Sequence, residues 1–231
     1  MAGGNTTTRG AAVRDVPVWD LPTRAFHWGL VILVAVAIVT AKLDRMDAHM
    51  LAGQAILALL LFRLVWGLIG SQTARFSDFV KGPRAVLGYA AGLRRPDKGR
   101  PVLGHNPMGG LMVLVLLAVL MAQAISGLFT SDDILVDGPL VPLAASATVK
   151  ALSTLHRLVA DGILVLIGVH VAAVLVYLVV KKENLIRPMI TGRKPVPAGA
   201  DVAAPKRTPT AVAVAVLAAA AGVVAAVVQA G

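Results

Sequence analysis

The sequence predicts an all-α integral membrane protein, a bundle of four helices with a fifth appended at the C-terminal end. Three observations lead there. Of the 231 residues, 57% are hydrophobic and only 15% charged, with a mean hydropathy of +0.79, which is too apolar for a water-soluble domain. Five apolar runs approach the roughly 20 residues that a helix needs to cross about 30 Å of hydrocarbon. Most of the charged residues fall between those runs, and their sign alternates from one connection to the next.

The segment Met1 to Trp19 is polar and rich in Gly and Thr, without the pattern of a secretory signal, so the first apolar run is expected to stay in the mature chain. That run extends from about Phe26 to Ala41. Before it, Asp20 is placed to cap a helix and Pro22 suits its first turn. The second run covers about His49 to Gly70, the third Pro107 to Phe129, and the fourth Ala151 to Val180. The fifth, Thr210 to Gln229, is almost pure Ala and Val, and the Pro/Ala/Gly-rich stretch before it reads as a linker.

Charge orients these elements. Arg9, Arg14 and Arg24 precede the first helix. Arg75, Lys81, Arg84, Arg94, Arg95, Lys98 and Arg100 separate the second from the third. Lys181, Lys182, Arg187, Arg193, Lys194, Lys206 and Arg207 follow the fourth. Such segments stay cytoplasmic. The other connections carry Asp44, Arg45 and Asp47, then Asp132, Asp133, Asp137 and Lys150, and belong on the opposite side. The expected topology therefore has a cytoplasmic N-terminus, five crossings, and Gly231 outside. The net charge of +10 reports this orientation and calls for no nucleic-acid partner.

With no cysteine, thiolate-held clusters and covalently attached haem are excluded, and a metal must be held by nitrogen or oxygen. Four of the five histidines fall in the apolar helices: His27 and His49 at the starts of the first and second, His156 and His170 within the fourth. The last two are fourteen positions apart, which returns the side chain to within about 40° of the same face, about 21 Å further along the axis. The topology puts His49 level with His156 and His27 level with His170. Each pair would bring two imidazoles from two helices, as six-coordinate haem iron requires. Zinc fits less well, because the pairs lack a third or fourth ligand. His105, in Gly104-His105-Asn106-Pro107, is not read as a ligand. Bonding to a haem propionate or a quinone, and a plain solvated loop, both remain open for it. Arg63 lies fourteen residues after His49 and would reach a propionate of the lower haem, or else snorkel to the interface. Arg157 and Asp161, four apart, are spaced to pair.

Several of these segments resemble the bacterial cytochrome b561 family, which includes the b-type cytochrome subunits of nickel–iron hydrogenases. The resemblance rests on Val18-Trp19-Asp20-Leu21-Pro22-Thr23-Arg24-Ala25-Phe26-His27-Trp28, on Phe62-Arg63-Leu64-Val65-Trp66-Gly67, and on the Gly104 to Pro107 loop. Leu155-His156-Arg157, Val169-His170-Val171 and Arg187-Pro188-Met189-Ile190-Thr191-Gly192 extend it. It implies a four-helix bundle holding two non-covalent b-type haems, with ligand pairs His49/His156 and His27/His170. It also implies electron exchange in a bacterial inner membrane between quinone and a redox protein, such as a periplasmic cytochrome c or hydrogenase-type subunit. The expected organisation is a diheme domain over 1–194, a linker over 195–209 and a transmembrane helix over 210–231. An electron-transfer subunit is favoured over a stand-alone enzyme. The competing readings are a self-contained quinone-linked oxidoreductase acting on a small species such as superoxide, and a haem-free membrane anchor.

Overall fold

The computed structural model describes residues 12–93, 102–132, 134 and 136–231. Arg9, Arg94, Arg95, Lys98, Arg100 and Asp133, used above to orient the chain, lie outside the described residues.

A short strand β1 (Val13–Pro17) leads into α1 (Leu21–Lys42). Asp20 sets its start as expected: Oδ1 accepts from the Thr23 N–H at 2.8 Å, and Pro22 sits in the first turn. Because the cap and not the apolar run decides where the helix begins, α1 starts before Phe26. After a turn in which Asp44 takes φ 53° comes α2 (Met46–Ile69). The basic connection then forms two short helices that the sequence did not announce, α3 (Phe76–Phe79) and α4 (Pro83–Gly92). Helix α5 (Pro107–Gly127) is capped by Asn106, whose side chain accepts from the Gly109 N–H at 2.8 Å. Helix α6 (Ser146–Val179) has 34 residues, a length of about 51 Å. A short α7 (Ile186–Thr191) ends at Gly192 with φ 78°, and β2 (Arg193–Pro197) and α8 (Thr210–Gln229) follow. Five helices, α1, α2, α5, α6 and α8, are long and apolar enough to cross a membrane, one for each expected run.

Helix α2 is the centre of the bundle. It packs along α1, α5 and α8, and Leu60 and Trp66 have no exposed surface. Phe26, Phe62 and Trp66 form a continuous aromatic column, with centroids 6.4 and 5.8 Å apart. Two glycines let α3 wedge in below: a side chain at Gly67 would collide with the Phe76 ring, and a Cβ at Gly110 would lie 2.6 Å from the Phe79 carbonyl oxygen. The appended α8 buries Ala213, Ala220 and Val224. In lipid no hydrophobic force drives that docking, so it depends on the close van der Waals approach that small side chains permit.

Opposite ends of the bundle differ in charge. At the basic end β1 pairs antiparallel with β2, from Val13 opposite Pro197 to Pro17 opposite Arg193. The stretch read as a linker thus begins inside a strand, and further on it is held to the end of α2. Gln72 N–H donates to the Lys206 carbonyl at 2.9 Å, and Thr208 N–H donates to Ser71 Oγ at 3.1 Å. At the acidic end Gly231 lies against Pro139, and Val224, Val227 and Val228 pack with Leu128 and Leu140. The helices therefore alternate in direction through all five crossings.

Candidate functional site

Helix α6 packs closely along α5, while no comparable backbone approach joins it to α1 or α2. Across that separation His49 of α2 meets His156 of α6, while His27 of α1 and His170 of α6 lie toward the basic end.

In the layer near the acidic end, His49 of α2 and His156 of α6 come together with ring centroids 6.2 Å apart and planes at 90°. Two metal–imidazole bonds of about 2 Å each, with half a ring on either side, span about 6 Å. Both rings are held the same way. His49 Nδ1 is 2.9 Å from the Ala37 carbonyl oxygen, and His156 Nδ1 is 3.0 Å from that of Gln123. A backbone carbonyl can only accept, so each Nδ1 carries the proton and each Nε2 is left with its lone pair. That outer tether is the usual support of a metal-ligating imidazole. His156 Nε2 receives the Gln123 amide at 3.1 Å, and Ser126 Oγ stands 3.3 Å from its Nδ1. The ring lies against Gly127, where an added Cβ would be 2.9 Å from Cε1. Gln123, Ser126 and Gly127 escaped the sequence reading, since nothing local links α5 to a histidine thirty residues on. Open space lies beside Gly53, Gly162 and Gly168, where an added Cβ would have no neighbour within 4 Å.

The layer near the basic end is built differently. His27 is edge-on to Trp28 at 5.1 Å, and its Nδ1 is buried with no partner. No ring contact joins it to His170 among the described residues. Arg63 is only 2% exposed, which rules out snorkelling. Its guanidinium lies over the rings of Phe76 and Phe79, at 5.1 and 5.8 Å, with Nη1 buried and unpaired. A buried, unpaired cation calls for a counter-charge. The nearby Asp20 is engaged elsewhere, accepting from Thr23 N–H and from Trp66 Nε1 at 3.2 Å. A propionate is a group these donors fit.

His105 belongs to this layer and not to a solvated loop. Its ring sits between those of Trp19 and Phe79, each 4.7 Å away, and its Nδ1 is buried without a partner. Burial, followed by the charges of Arg63, His170 and His27, pushes its pKa down to about 3, so the ring is neutral and keeps one donor and one acceptor nitrogen. Arg157 and Asp161 are both exposed and form no ion pair among the described residues. With the cation on the N-terminal side, theirs is the weaker order for such a pair.

Comparison with curated proteins and with solved structures gives no match. A family model described as prokaryotic cytochrome b561 matches residues 18–192, from the residue after β1 to the glycine that ends α7. Most of the chain lies within that match, which takes in α1, α2, α5 and α6 and leaves α8 outside: the chain belongs to the prokaryotic cytochrome b561 family, membrane b-type cytochromes that transfer electrons.

Proposed function

We propose that this chain holds two b-type haems, one between His49 and His156 and one between His27 and His170, and carries electrons across a bacterial inner membrane. The observation that carries the reading is the His49–His156 arrangement: two imidazoles at 6.2 Å from helices that otherwise stay apart, each tethered through Nδ1 to a carbonyl. Haem iron clamped by two imidazoles has no open position, which suits it to passing single electrons. Helix α6 sets the second layer about 21 Å from the first. There Arg63 offers its unpaired Nη1, and His105 a neutral ring, to the propionates or to a quinone headgroup.

The basic end faces the cytoplasm by the positive-inside rule, and the acidic end meets a periplasmic redox protein of the cytochrome c or hydrogenase-subunit kind. Quinone exchanges electrons at the other layer. Haem quantitation with a reduced-minus-oxidised spectrum on the purified chain tests the core of this. Two b haems per chain are expected, and a ratio near one or zero would overturn the paired assignment.

A further inference from the structure

A second feature of the basic end lies outside both histidine layers. The starts of α1 and α8 and the turn between α7 and β2 enclose a cavity of about 260 Å³, lined by Arg24, Arg193, Arg207, Thr191 and Thr208 among others. Liquid water takes about 30 Å³ per molecule, so the space would accept a group several times that size. Gly192 builds it. With φ 78° and no Cβ, it turns β2 back so that an added Cβ would lie 2.7 Å from the Trp19 carbonyl oxygen and 3.2 Å from Arg24 Nε. Arg193 and Arg24 are thereby brought to one cavity.

The charge there is unbalanced. Among the described residues the ion pairs are Arg187 with Asp15 and Lys194 with Glu183, so none of the three arginines has a carboxylate. Arg24 donates through Nη1 to the Ile190 carbonyl, while its Nε is buried with no partner. Asp20, the one acidic residue on the wall, has both oxygens committed to Thr23 N–H and Trp66 Nε1. The first turn of α8 adds the positive end of a twenty-residue helix with no side-chain cap. The exposed Leu21 and the Trp19 ring also line it, where α1 begins, at the level where a bilayer places its headgroups.

We propose that this cavity binds a phosphate group, as carried by an anionic phospholipid of the facing leaflet. Arginine suits this chemistry because its planar fork meets phosphate oxygens two at a time, and basic pockets between membrane helices are where anionic headgroups settle. The phosphate would bridge the family-matched bundle to the approach to α8, since Arg24 belongs to the matched segment and Arg207 and Thr208 lie just before α8.

The test measures the unfolding midpoint of the detergent-purified chain, with native mass spectrometry of retained lipid, while dioleoylphosphatidylglycerol, dioleoylphosphatidylcholine or inorganic phosphate is titrated. The chains compared are the wild type and the Arg193→Gln/Arg207→Gln variant, whose replaced side chains are exposed; circular dichroism checks that the variant folds. Phosphatidylglycerol is expected to raise the wild-type midpoint where phosphatidylcholine does not, and the variant to need about tenfold more of it, as loss of charge-assisted bonds predicts. Inorganic phosphate that reproduces the shift and displaces the lipid, with the same arginine dependence, would support the phosphate site and identify its source as aqueous. Equal shifts from both lipids, no shift from lipid or phosphate, or a response unchanged in the variant would overturn the proposal.

Discussion

The two histidine layers are set by one helix at one spacing, yet they are built on opposite plans. Near the acidic end the groups that touch the histidine rings are neutral: an amide, a hydroxyl, a glycine and two backbone carbonyls, the last of which fix both tautomers. Near the basic end the histidines share space with a buried cation, a third imidazole and four aromatic rings, and His27 Nδ1, Arg63 Nη1 and His105 Nδ1 are buried without a partner. The first layer is preorganised by its own hydrogen bonds. The second is a set of donors awaiting an anion.

Substitutions can break that contrast. The largest effect is expected from His156→Ala, which should reduce haem content from two per chain to one while leaving the spectrum of the other layer intact. Loss of both signals together would mean that the layers are not independent. Gly127→Val comes next. Its side chain would push the His156 ring off its seat, an overpacking cost of about 1–3 kcal/mol, read as weaker haem retention in the neutral layer alone. Arg63→Leu should lower the midpoint potential of the other layer, because a nearby positive charge favours the electron-rich reduced state. Each 1.4 kcal/mol of lost interaction corresponds to about 59 mV for a one-electron couple. Arg63→Lys should restore part of the shift, and a redox titration that finds the neutral layer moving equally would remove the distinction.

The smallest effect concerns acid. His105 has a folded pKa pushed to about 3 against about 6.5 unfolded. The unfolded chain therefore takes up a proton first, and stability falls as pH drops below about 6.5 until it reaches about 3. His105→Gln should flatten that slope by about 1–2 kcal/mol between about pH 7 and pH 5, measured as unfolding midpoints. An unchanged slope would assign the acid sensitivity to other groups.

What the sequence disclosed and what it hid follow a physical line. Helix positions, the Asp20 cap and the two depths on α6 depend on neighbours in sequence, and the structure has them where spacing puts them. The seat of His156 depends on α5, and the enclosure of His105 on rings from residues 19 and 79, so no local pattern could report either. The strands were hidden for another reason. Pro17, Pro195 and Pro197 lie within them, and proline ordinarily argues against a strand except at a sheet edge, which is all that a two-stranded sheet has. For α8, composition disclosed a membrane helix but not its partner. Its Ala/Val surface has no polar marker, and only the packing on α2 and the ties at Ser71 and Gln72 show where it docks.

The pairing of β1 with β2 joins residues 13–17 to residues 193–197, and this fixes an order in time. During synthesis the first strand waits, unpaired, while every helix from α1 to α7 is made and α1, α2, α5 and α6 are threaded into the bilayer. Only when the residues of β2 have left the ribosome can the basic end be laced shut, and only after that can α8 settle along α2. A chain cut short after α6 would carry all four intramembrane histidines and still have its doorway open.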